Sequence, residues 1–326
     1  MNAKRFTGWF WTACKVETGE RRTMVKKENA NPKKKGVALI VLSALLWGTL
    51  PVFSKWSYQL GSNAMTSAAM RSYLAGGMML VWLAASGRLA KLKWKEWPFY
   101  CVYGVIAGGG TFVFYMSAVE RLSTAMASML LYTAPAFVVL FERAVYKIPL
   151  TAKKCLAMAL TFEGCFLVVK GYDLRALQAD FPGILIGLLS GLCYSMTTIL
   201  GRKAGRYHDS AFNAAMMIVT GTIVFWIVRP PWKIAIPDPM LWICFLAIAV
   251  LGTVLGYSIY LKGFELLSDG GLASTISILE PVFGTVLSVL CFQEKLEALQ
   301  MLGMLIVILG VALLVGGAKA KRIACR

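Results

Sequence analysis

The sequence predicts an all-α membrane protein: ten transmembrane helices in two inverted-topology five-helix repeats, with both termini cytoplasmic. Three observations predict it. The chain is 58% apolar and only 15% charged, it holds ten apolar runs long enough to span a bilayer, and it matches itself when shifted by 146 residues. Soluble domains are nearer 45 to 50% apolar and about 25% charged, and the mean hydropathy here is +0.66.

A bilayer core roughly 30 Å thick asks for about 20 apolar residues per helix. The runs lie at 36 to 55, 64 to 86, 97 to 118, 124 to 145, 152 to 170, 182 to 201, 211 to 229, 240 to 261, 270 to 292 and 298 to 317. Lipid offers bare backbone no hydrogen-bond partner, so runs of this length form helices, whereas a barrel would show short alternating segments.

The net charge of +18 could suggest a nucleic-acid partner, but its placement argues against one. Basic residues crowd alternate connections: Lys33 to Lys35, then Arg88, Lys91, Lys93 and Lys95, then Arg143, Lys147, Lys153 and Lys154, then Arg202, Lys203 and Arg206. The opposing connections hold fewer, such as Lys55, Arg121, Lys170 with Arg175, and Lys295. This positive-inside bias puts both termini in the cytoplasm. Residues 1–35 and 318–326 are expected as basic cytoplasmic tails, the first disordered, with Met24 an alternative start. Eight cysteines without regular spacing read as small packing residues, and no cofactor or metal site is expected.

The shift of 146 lays Pro135 on Pro281 and Gly164 on Gly310; a shift of 147 lays Trp47 on Tyr194 and Lys55 on Arg202. Each unit, 36–170 and 182–317, therefore holds five helices. An odd number turns the second copy upside down relative to the first, the plan of many secondary transporters.

Several motifs recur in order. They are L-L-W-G from Leu45 to Gly48, a second helix with Arg71, Ala75, Gly76 and Gly77, the pattern A-S-x6-P at Ala127 to Pro135 and again at Ala273 to Pro281, and a closing turn at Gln293 and Glu294. In these motifs the chain resembles the EamA family of the drug/metabolite transporter superfamily over both repeats. The resemblance implies ten helices that move small metabolites, such as amino acids or drug-like compounds, usually outward and without ATP. It implies a multi-pass cell-membrane protein, inner membrane in a Gram-negative source, acting as monomer or homodimer on a small-molecule substrate. Two positions depart from the repeat: Lys147 and Ile148 stand where the second copy has Gln293 and Glu294, and Ala134 stands opposite Glu280.

An ionisable group at mid-bilayer costs about 2.5 to 3.5 kcal/mol and needs a compensating role. Glu280 reads either as a proton or substrate-ammonium site or as a group satisfying the backbone that Pro281 frees. Arg71 reads as a clamp for a substrate carboxylate or as a snorkelling cation. Glu163, mid-helix in the fifth run, reads as a direct participant or as a group paired with a polar neighbour, and the resemblance implies that the fifth helix is peripheral and concerned with packing or dimer contact. Pro135 and Pro281 would break two helices at equal depth and read as hinges or as static kinks. Trp47, Tyr115, Tyr132, Tyr194 and Tyr257 read either as the lining of a mixed-polarity cavity or as packing residues, with Tyr115 and Tyr257 expected at matching depths after their Gly-Thr pairs. Trp94, Trp97, Tyr100, Trp226, Trp232 and Trp242 read as the interfacial belt.

The function predicted is a secondary transporter, an exporter in the family's usual direction, working by alternating access; Glu280 offers a route for proton antiport, and uncoupled exchange fits the sequence equally. A channel or scaffold is the alternative. An intramembrane enzyme fits poorly, because the single histidine, His208, lies in a loop and all five aspartates lie in loops or at helix ends.

Overall fold

A computed structural model describes residues 32–172, 180–236, 238–293 and 295–320, with side chains to residue 316. Met24, Arg175, Glu294 and most of both tails lie outside the described residues. Among the described residues there are ten long helices, some of them interrupted, a few short 3-10 turns and no strand. The long helices are α1 (Pro32–Gln59), α2 (Ala64–Ala85), α3 (Trp94–Arg121), α4 (Thr124–Tyr146), α5 (Ala152–Val168), α6 (Phe181–Ala204), α7 (Ser210–Val228), α8 (Leu241–Leu267), α9 (Gly270–Phe292) and α10 (Ala298–Ala320). Nine are long and apolar enough to cross a bilayer. The exception, α5, is 17 residues and lies along α10. At their crossing a Cβ on Gly164 would meet the Gly303 carbonyl at 2.7 Å, so this contact requires bare backbone on both helices.

The repeat predicted from sequence is written in the helix ends. Asn63 caps α2 by accepting from the Thr66 N–H at 2.8 Å, and Asp209, 146 positions on, caps α7 from the Phe212 N–H at 2.9 Å. Ser123 caps α4 and its counterpart Asp269 caps α9. Lys147 and Gln293, which differ in chemistry, both close their helices in the left-handed region, at φ 54° and 53°. Near Asp209, burial pushes the carboxyl pKa up, but the Phe212 N–H and the Arg88 guanidinium outweigh it and hold the group below the usual carboxylate range. Asp209→Ala is expected to cost about 1 kcal/mol of stability, read as a lower thermal midpoint in detergent.

The prolines break their helices where expected, at matching positions in the two repeats. Helix α4 breaks after Leu131 and restarts at Ala134, and α9 breaks after Ser277 and restarts at Glu280, each with its proline in the first turn of the second segment. A third break was not anticipated: α1 is interrupted at Thr49 ahead of Pro51, while its counterpart α6 runs unbroken from Phe181 to Ala204.

Helices α3 and α8 each widen into a π-helical stretch, Gly104–Gly110 and Ile248–Leu255. The glycine run explains the first: Gly104, Gly108 and Gly109 press on α7 around Gly221, where any Cβ would strike backbone. The first helix of each repeat packs in the other repeat, α1 against α8 and α9, and α6 against α3 and α4. This exchange draws α1, α6 and the two broken helices to the centre of the bundle.

Three expectations are corrected. Tyr100 is fully buried, its hydroxyl donating to Asn213 Oδ1 at 2.7 Å, so a partner on α7 removes it from the belt. Trp94, Trp226, Trp232 and Trp242 are exposed, as a belt requires. Cys291 is exposed rather than packed inside. Tyr115 and Tyr257 do not share a depth, because the register that matches the helix ends pairs Tyr257 with Thr111, about one turn from Tyr115.

Candidate functional site

The helix exchange converges on one small chamber of about 40 Å³, lined by Trp47, Leu50, Arg71, Thr111, Phe112, Leu131, Tyr194, Gly252, Tyr257 and Glu280. Five of the seven residues singled out for binding line it directly. Of the other two, Tyr132 lies close to Glu280, and Tyr115 bonds Ser128 on α4 at 2.9 Å.

Each side chain is placed by a local cause. Trp47 precedes the break of α1, and its indole N–H donates to the Gly252 carbonyl, inside the π-helical stretch of α8, at 2.9 Å. That bond occupies the one polar edge the tryptophan has, so it offers the chamber an apolar face. Its repeat partner Tyr194 meets it edge-on with ring centroids 6.2 Å apart, and Tyr257 packs at 5.3 Å. Glu280 opens the second segment of α9, where the break frees it from the helix surface and leaves it half-buried, turned toward the chamber.

Arg71 is 6% exposed, in the first half of α2, so it does not snorkel. Its guanidinium lies over the Phe112 ring at 3.5 Å, and its Nη2 is buried without a hydrogen-bond partner. A second space of about 20 Å³, shared with Ser72, Gly108 and Thr253, lies on its other side. Arg71 and Glu280 thus feel one another electrostatically across the site, but among the described residues neither forms an ion pair. The arrangement is a cation and an acid held apart in an aromatic setting, with donor capacity unspent on the cation. A chamber of about 40 Å³ has room for roughly one to three waters and for no metabolite, so binding a solute requires the surrounding helices to move apart.

One end of the bundle is tied by a residue the sequence reading passed over. Glu142, 3% exposed at the end of α4, accepts from the Gly270 and Gly271 N–H groups at 3.0 and 3.1 Å and pairs with Arg202 at the end of α6. Arg202 also donates to the Ser268 carbonyl at 3.1 Å. Four helices, α4, α6, α8 and α9, meet in this latch. Glycine is required there, since a Cβ on Gly270 would lie 2.7 Å from Glu142 Oε1 and from Thr198 Cγ2. Lys154 adds an ion pair to Asp269 at 2.9 Å. At the opposite end the counterpart of Glu142 is Ser288, and Lys55, the counterpart of Arg202, lies over the Phe292 ring at 4.2 Å. Glu163 stands apart from all of this, exposed on α5 with no ion pair or side-chain hydrogen bond to a described residue.

Comparison with known proteins agrees with the two-copy reading. The model of the EamA-like transporter family matches the chain twice, over residues 34–170 and 181–316. The uncharacterized transporter YcbK of Bacillus subtilis is 24% identical over 291 residues, covering 82% of this chain and 88% of that protein. The threonine/homoserine exporter RhtA of Salmonella typhimurium is 26% identical over 239 residues, 72% of this chain and 76% of that protein. A crystal structure superposes with a TM-score of 0.74 at 18% identity, covering 89% of this chain and 99% of the other, a likeness of fold.

Proposed function

We propose that this chain, which belongs to the EamA-like transporter family, is a secondary transporter that exports small zwitterionic metabolites, amino acids foremost, by alternating access. The observation that carries the reading is the juxtaposition of Arg71 and Glu280 in one aromatic chamber, neither neutralised by the other. A guanidinium with free donors suits a carboxylate, and a carboxylate facing the same space suits an ammonium. The similarity to RhtA, a threonine/homoserine exporter, supports that substrate class.

In this reading the latched end faces the cytoplasm, in line with the loop charges, and the protein sits in the cell membrane. The latch and the chamber are two stages of one cycle. With Glu142 bound to Gly270 and Gly271, the start of α9 is held and the cytoplasmic side is shut. Releasing it lets α9 swing at the Pro281 break and carries Glu280 with it. The same carboxylate can take a proton when no ammonium is present, which couples return of the empty carrier to a pH gradient. A channel would need a continuous path, whereas the space at Arg71 is divided into chambers of about 40 and 20 Å³.

The test is uptake and counterflow in proteoliposomes with a metabolite panel and an imposed pH gradient. Saturable exchange of amino acids, accelerated by the gradient, is expected. Absence of saturable flux for every solute overturns the reading.

A further inference from the structure

The central chamber is small beside a second cavity. A cleft of about 420 Å³ opens beside the latch, between the ends of α6 and α8 and the start of α7. Its charges do not cancel locally. The two acids that line it are already engaged: Asp209 pairs with Arg88 at 2.8 Å and Glu265 with Lys262 at 3.1 Å, and neither of those cations lines the cleft. His208 bonds Glu96 at 2.8 Å, and Arg202 is held by Glu142. Arg206 remains, lining the cleft with no ion pair or side-chain hydrogen bond to any described residue. The cleft therefore presents one unspent guanidinium, with a second, Arg202, on the adjoining wall.

We infer that this cleft is a loading site for a small carboxylate-bearing solute, whose carboxylate docks on Arg206. The inference rests on the reading above that the substrate is a zwitterion, and it adds a second binding station outside the chamber. A guanidinium binds a carboxylate through two parallel N–H donors, which a lysine cannot reproduce. Phe264 gives the solute an apolar wall, and the Tyr207 ring, 44% exposed, gives a second. Arg202 is the route onward. A carboxylate passing from Arg206 to Arg202 competes with Glu142 for the same guanidinium, so arrival of the solute loosens the latch that shuts the way to Glu280. Loading and opening become one event, and the transporter opens inward in proportion to what it has to export.

The test is equilibrium binding of L-threonine to the full chain in nanodiscs of phosphatidylcholine alone, by titration calorimetry. Wild type and Glu280→Gln are expected to bind alike at the cleft, and Arg206→Gln to bind roughly tenfold more weakly. Arg206→Lys recovers only part of the loss. Arg206 is exposed, so folding of its two variants is not at issue. Equal affinity in Arg206→Gln and wild type overturns the inference, as does loss of all binding in Glu280→Gln, which would put the only site in the chamber. Inorganic phosphate and vesicles containing phosphatidylglycerol are run as competitors. A cleft that responds to Arg206→Gln only through phosphatidylglycerol is a lipid headgroup site, and the loading role falls. A wild type that binds threonine through Arg206 yet moves no metabolite counts against the transporter reading and leaves the binding site standing.

Discussion

Glu280→Gln lowers L-threonine counterflow roughly thirtyfold or more, while the thermal midpoint of the protein in detergent stays that of the wild type. The substitution keeps the shape of the side chain and an acceptor for the Tyr132 hydroxyl. What it removes is the negative charge that meets the substrate ammonium, and a buried charge left facing a neutral amide loses about 2 to 5 kcal/mol of binding. Folding is spared because Glu280 forms no ion pair among the described residues. The competing structural role, in which Glu280 satisfies backbone freed by Pro281, reverses both expectations: stability would fall and flux would persist.

Glu142→Gln has the opposite signature. It leaves Arg202 without its carboxylate in a site where Glu142 is 3% exposed, and breaking one side of a buried pair costs about 3 kcal/mol. The start of α9 loses a charged cap as well, since a glutamine presents one acceptor oxygen to Gly270 and Gly271 in place of two. Amide exchange across residues 268–279 is expected to quicken by one to two orders of magnitude, with the latched face opened to water and the opposite face unchanged. Gly270→Ala reaches the same result by a different route, because its methyl group would displace the Glu142 carboxylate. Exchange unaltered in both variants would show that other contacts hold this end.

The overall plan and most of the chamber were legible in the sequence for a common reason. Periodic apolar runs report helices, and a proline or cap at a fixed offset in both copies reports where each helix starts and breaks. Asn63 with Asp209, Ser123 with Asp269, and Pro135 with Pro281 keep that offset to the residue. The π-helical stretches leave no such trace, since their change from i→i+4 to i→i+5 bonding falls inside almost wholly apolar runs that hold too few polar residues to mark the altered period. Their effect on the site is direct, for the Gly252 carbonyl inside one stretch takes the polar edge of Trp47. The latch was hidden because Glu142 sits where a helix end reads as solvated. Its burial depends on two glycines 128 and 129 residues away and on a turn at Ser268 that aims their N–H groups at it. Tyr100 was misread for a related reason: an aromatic beside Trp94 and Trp97 looks interfacial until Asn213, on another helix, supplies its partner.

The central claim is that Arg71 and Glu280 read the two ends of one zwitterion. It is tested most directly by competing labelled L-threonine counterflow with its amino alcohol, which lacks the carboxylate, and its hydroxy acid, which lacks the ammonium. The wild type is expected to discriminate against both analogues by roughly thirtyfold. Arg71→Gln should lose discrimination against the amino alcohol alone, and Glu280→Gln against the hydroxy acid alone. If the wild type treats all three solutes alike, or if either variant weakens all three to the same extent, the two residues do not divide the substrate between them and the account is contradicted.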